Sequence, residues 1–168
     1  MFKIGDAVIH PAEGVCRITE IAQKSFGGKT DDYFVLKSVY DGQSTVYLPV
    51  ETVKNNPKIR PALDKRQVDG IIDLLPENEP LKTENDNQRR LLFKEILASG
   101  NAEDISRIIK TVHVLKTNIR SSGKKIRVSD ERIIKETEYS LFNEFAYSLG
   151  IAPSEIPGYI KNRLESDN

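Results

Sequence analysis

The side chains able to carry chemistry are few and scattered. His10 and His113 are about 100 positions apart, and the one cysteine, Cys16, has no second thiol or histidine at metal-ligand spacing. There is no glycine-rich phosphate loop, no cysteine pair and no HExxH segment. Carboxylates are plentiful but spread along polar faces, and sequence alone leaves open a pair that folding brings together. His10 and Cys16 sit in a strand-like pattern and read as structural; His113 reads as a partly exposed helix residue with no acid or nucleophile beside it. The expectation is a protein that is not an enzyme and that uses no metal and no cofactor. A lone cysteine forms no internal disulfide, which fits a reducing compartment. No apolar run approaches the roughly 18 residues of a membrane span, and Met1-Phe2-Lys3-Ile4-Gly5-Asp6 lacks a leader's basic-then-apolar pattern. The cytoplasm is the expected location.

With catalysis set aside, binding is what remains, and charge is its first clue. The 25 basic and 25 acidic residues cancel, but they are segregated. Residues 64–86 hold seven acids against three bases; residues 105–129 hold seven bases (Arg107, Lys110, Lys116, Arg120, Lys124, Lys125, Arg127) and no acid. From Glu136 onward six acids meet two bases. A phosphate responds to the local field within a Debye length of about 8–10 Å, not to the net charge. A helix face that is merely basic and solvated is the plain alternative.

Two kinds of element must position these groups. Over the first 56 residues, segments 7–10, 14–22, 33–38 and 43–48 are short, rich in Val, Ile, Tyr and Thr, and separated by turn residues, the last turn being Asp41-Gly42. They predict a small SH3- or Tudor-like β-barrel. Asn55-Asn56-Pro57 and Pro61 break the pattern, and the period then becomes helical. Helices are predicted over 63–75, 87–99, from a capping box at Asn101-Ala102-Glu103-Asp104 to 120, from Ser129 through Leu149, and over 154–164, with a polar loop at 76–87. In the third helix Ile105, Ile108, Ile109, Val112, Leu115 and Ile119 form one stripe, with Arg107 and Lys110 opposite. Strands first and helices after predict an α+β chain of two domains, 1–56 and 57–168.

Phe2-Lys3-Ile4-Gly5-Asp6-Ala7-Val8-Ile9-His10-Pro11, with Gly14 after it, resembles the opening of the CarD/CdnL family of polymerase-binding regulators. That opening is shared with the polymerase-interacting domain of transcription-repair coupling factors. Tyr33-Phe34-Val35-Leu36-Lys37, Thr45-Val46-Tyr47-Leu48-Pro49, Arg89-Arg90, Leu97-Ala98-Ser99-Gly100 and the helix from Ser129 to Leu149 continue the likeness in order. The resemblance implies a β domain docking edge to edge on the β subunit of bacterial RNA polymerase. It also implies a helical domain lying on promoter double-stranded DNA at the upstream edge of the bubble, stabilising the open complex. The protein would then be nucleoid-associated through RNA polymerase, with no small-molecule substrate. The implied polymerase contacts are Lys24, Thr45, Val46 and Tyr47, Tyr47 standing where some members carry arginine. Several members insert a tryptophan wedge before the Arg-Arg pair; this chain has no tryptophan, and Asn85-Asp86-Asn87 occupies that stretch. An apolar wedge fills the gap of an unstacked base step, so the DNA contact is expected to be weaker or differently arranged. It falls to Asn85, Asp86, Asn87, Arg89, Arg90 and Lys94, with Lys124, Lys125 and Arg127 as the further cations.

Two rival readings differ in class. One is a protein–protein adaptor on polymerase without a DNA role, which the missing tryptophan suits. The other is a KOW-like RNA- or ribosome-binding factor, for which Tyr33, Phe34, Tyr40 and Tyr47 offer stacking rings. Six bases against seven acids in the first 56 residues weigh against the second.

Overall fold

The structure is a computed structural model and describes residues 1–56 and 59–166 of the 168. The chain divides into two units, Met1–Ala62 and Leu63–Asn168.

The first unit is an antiparallel sheet of five strands, β1 (Ala7–His10), β2 (Gly14–Phe26), β3 (Lys29–Ser38), β4 (Thr45–Pro49) and β5 (Arg60–Pro61), with the short helix α1 (Val50–Lys54) after β4. β2 and β3 run past the segments predicted from sequence, because Gly27 and Gly28 both take positive φ (61° and 79°) and close a two-residue turn between Phe26 and Lys29. A register shift between Ile18 and Glu20 bulges β2, explaining its mixed polarity: the side chains change face partway along. Val8, Cys16, Ile18, Phe34, Leu36, Val53 and Ile59 form the core.

The expected closed barrel is instead an open sheet in the order β4-β3-β2-β1-β5. Closure would require β4 to pair with β5. These edge strands are five and two residues long, and Pro49 and Pro61 bring no N–H to a ladder. α1 and β5 were not visible to sequence reasoning. β5 joins β1 through Ile9↔Arg60 and Val8↔Pro61, carrying the first unit six residues beyond the predicted boundary at 56.

The second unit is helical: α2 (Lys65–Asp73), α3 (Asp86–Ser99), α4 (Ala102–Ser122), α5 (Val128–Leu149), a 3-10 turn (Pro153–Glu155) and α6 (Ile156–Ser166). Asp64 and Gln67 form a reciprocal capping box on α2; Asn85 and Asn101 cap α3 and α4 by accepting from Gln88 N–H and Asp104 N–H. Ile71, Ile72, Phe93, Ile105, Ile108, Leu141, Phe145 and Ile156 lie at the centre of the core. The loop after α2 is stapled to α4: Arg107 Nε donates to Glu79 O (3.3 Å), and Lys110 Nζ donates to Leu75 O (3.2 Å). Two cations of the basic segment thus satisfy loop carbonyls. Lys116 pairs with Glu138 at 2.6 Å.

Candidate docking edge and nucleic-acid surface

β4 forms one border of the sheet, and its five residues, Thr45-Val46-Tyr47-Leu48-Pro49, carry no charge. Edge strands are usually guarded by charges, bulges or a covering element, because their backbone groups invite another strand. Thr45 and Tyr47 are exposed, whereas Val46 and Leu48 pack against the core.

Strand register brings Lys24 of β2 to this border. The Lys24 ammonium lies 5.7 Å from the Tyr47 ring centroid, a cation–π arrangement. Phe26, at the tip of the β2–β3 hairpin, stands 5.9 Å from Tyr47 and 5.1 Å from Tyr33, meeting the latter at 75°. Lys24 and Tyr47 are therefore neighbours, and so are two rings that sequence reasoning did not join to them. The signal was present in Gly27-Gly28: a two-residue turn there extends both strands and returns Tyr33 beside Ala22. Of the proposed stacking rings, Phe34 is 2% exposed and belongs to the core.

The cationic surface of the second unit departs more from expectation. Arg89 is 9% exposed. Its Nη2 donates to Asp130 Oδ1 (2.6 Å) and to Asp86 Oδ1 (3.2 Å). Arg127 approaches the same acids from outside, with Nε on Asp130 Oδ2 (2.9 Å) and Nη2 on Asp86 Oδ1 (3.2 Å). Ser129 Oγ donates to Asp86 Oδ2 at 3.1 Å. Predicted as the start of α5, Ser129 instead lies one residue inside it; Arg127 is the N-cap and contributes no capping side chain. Two arginines and two aspartates cancel, so Arg89 and Asp86 clasp the starts of α3 and α5 and Arg89 does not face solvent. Arg127, hydrogen-bonding first and then by charge, holds the Asp130 carboxyl below its ordinary range against the opposing effect of burial; Arg89 adds to the same shift. The pairing raises the Arg127 guanidinium in turn.

Arg90, Lys94, Lys124 and Lys125 remain exposed, and among the described residues they form no ion pair. Arg90 Nη2 donates to Asn87 Oδ1 (3.1 Å). Arg90 and Lys94 are one helical turn apart and share a face of α3. Arg89 precedes Phe93 by one turn, a spacing that also allows a place at the border of the core, and it falls on the buried Phe93 and Ile96 stripe, while Arg90 falls beside it. Asn85 is spent as a cap, and Asn87 is exposed.

Among the described residues no cluster of three metal-ligating side chains occurs, and no helix is long and apolar enough to cross a membrane. Burial and the nearby Glu13 push the Cys16 thiol up to about 11.

Residues 2–63, nearly the whole first unit, match the CarD-like/TRCF RID domain family. Over 159 residues the chain is 21% identical to a protein of Bacillus subtilis (strain 168) named "Putative transcription factor YdeB", the match covering 95% of this chain and 99% of that protein.

Proposed function

We propose that this chain, whose residues 2–63 belong to the CarD-like/TRCF RID domain family, is a transcription regulator that docks on the β subunit of RNA polymerase through β4 and reaches promoter DNA with its helical unit. A polymerase-interacting role follows from the family in general terms. The finer assignment is supported by the observation that β4 is an uncharged, open edge with Lys24 and Tyr47 standing together beside it. A strand added there would gain backbone hydrogen bonds for affinity and alternate side-chain contacts for selectivity.

For DNA, the supporting feature is the exposed set Arg90, Lys94, Lys124, Lys125 and Arg127, which can neutralise phosphates without reading sequence. Arg89 and Asp86 act indirectly, by fixing the starts of α3 and α5 that carry Arg90 and Arg127. In this reading the two contacts together stabilise the open complex in the cytoplasm. The adaptor without a DNA role is favoured by one observation: Asp86 and Asp130 cancel much of the positive field of their neighbours.

The decisive experiment titrates the full chain against purified bacterial RNA polymerase core enzyme and against its isolated β subunit. Lys24→Glu combined with Tyr47→Ala is expected to weaken both by at least about tenfold. Binding unaltered by this double change would remove β4 as the docking edge.

A further inference from the structure

We infer that the cleft between the loop after α2, the second half of α3 and the start of α4 docks a basic, amphipathic segment of a partner protein. An apolar side chain of that segment lies on Leu81, Leu92 and Ile96, and its Lys or Arg lies among Glu79, Glu95 and the negative end of α3. The site belongs to the second unit and does not depend on the β4 edge.

The cleft has a volume of about 790 Å³, within the ~300–1,000 Å³ usual for binding clefts. Helical spacing builds one wall: Leu92, Glu95, Ile96 and Ser99 recur at intervals of three and four residues and share a face of α3. Gly100, with φ 70°, turns the chain into α4 and opens the corner. The loop after α2 is the opposite wall, and it is tied down. Besides the bonds from Arg107 and Lys110, Leu81 N–H donates to Thr111 Oγ1 (2.8 Å), and Asn78 Nδ2 donates to the buried Ser106 Oγ. A wall fixed before binding spares a partner the cost of ordering it. Leu81 and Leu92 are only half-buried against the core, so apolar surface is left at the floor.

Charge selects the occupant. Three carboxylates line the cleft, Glu79, Glu95 and Asp104, against two cations, Lys82 and Arg107. Arg107 is already engaged by Glu79 O and, at 3.9 Å, by Asp104. Glu79 and Glu95 are exposed, and among the described residues their carboxylates form no ion pair. α3 also ends here with no basic side chain in its last turn, which leaves the negative end of its dipole to attract a cation. Phosphate is repelled by the same field, so nucleic acid is a poor occupant. The cations proposed for DNA lie elsewhere: Arg90 is near the start of α3, and Lys124 and Lys125 follow the far end of α4. With 21 residues, α4 spans about 30 Å, which leaves room for DNA and a basic segment at once.

The test uses the full chain and fluorescence anisotropy of a labelled peptide of about fourteen residues, with Leu, Ala and Lys at amphipathic helical spacing. A matched peptide carrying Glu in place of Lys is the control, and spermidine is the second probe. Glu79→Gln with Glu95→Gln removes two exposed, unpaired charges, so thermal unfolding should be unaltered and affinity for the basic peptide should fall about tenfold. Leu92→Ala should weaken the peptide as well, and Leu92→Met should recover most of the loss. Excess double-stranded DNA should leave peptide binding in place. Equal affinity of the wild type and the Glu79→Gln, Glu95→Gln variant for the basic peptide overturns the inference, as does equally tight binding of the Glu-bearing peptide. No binding of the basic peptide to the wild-type chain also overturns it. Displacement of the peptide by spermidine at comparable concentration, with Leu92→Ala without effect, overturns it in favour of a site for small polycations.

Discussion

Arg89 and Arg90 are adjacent in sequence and opposite in role. Arg89 is enclosed with Asp130 and Asp86, so Arg89→Ala would remove the inner of the two arginines on the buried Asp130, leaving Arg127 alone there, and cost about 1–3 kcal/mol of stability, measurable by urea unfolding. Arg90→Ala should leave stability unaltered and, if Arg90 touches a phosphate, lower the slope of log affinity against log salt by about one. An unchanged slope would move the DNA contact to Lys124 and Lys125. Asp86 and Asn87 divide similarly. Both lie in the stretch where some members of the family carry a tryptophan wedge, and the structure separates them as positions for restoring one. Asp86 accepts from Arg89, Arg127 and Ser129, so Asp86→Trp should lower the melting temperature. Asn87→Trp leaves that network whole and is the variant expected to slow the decay of preformed open complexes. His10 offers a prediction in pH. Its Nδ1 accepts from the N–H groups of Ala12 and Glu13, both at 3.2 Å, and burial pushes the imidazole below its ordinary value, with Glu13 opposing in part. The unfolded chain therefore takes up the proton first as pH falls through about 6.5. The contribution of His10 to the first unit is present above that pH and is lost as the solution is acidified toward the lower folded value. Melting temperatures at pH 7.5 and 5.5 should show this loss, and His10→Gln should diminish it.

At the level of elements, the hairpin and the two helix starts explain what sequence periodicity could and could not deliver. The helices emerged within a few residues because their stripes and caps are local: Asn101, Gly100 and Gly150 mark ends by their own conformational preferences. β2 and β3 were underestimated, since the polar hairpin tip Gln23-Lys24-Ser25 gives no core signal and is ordered by cross-strand pairing. β5 is two residues long and exists only because β1 offers an edge. This last element can be tested. Residues 1–56 alone lose β5 and Ile59, which is 7% exposed in the core. They are expected to melt at a lower temperature than residues 1–63, which should fold and retain polymerase binding. Equal melting of the two fragments would show that β5 adds nothing to the first unit.

Over the whole molecule, the order of strands before helices was legible in the chain. It follows from properties carried by neighbouring residues: side-chain period and turn dipeptides. The likeness to the polymerase-interacting family was legible for the same reason, being carried by a continuous opening segment. Tertiary structure decided matters that depend on residues far apart. It left the sheet open, and it set Phe26 and Tyr33 beside Tyr47 and Lys24. It also made Arg89, for which the sequence left both a phosphate contact and a place at the core border open, a buried tie across 41 positions to Asp130. Charge counted along a sequence cannot anticipate that last outcome, because a cation's field depends on which carboxylate folding brings within 3 Å of it.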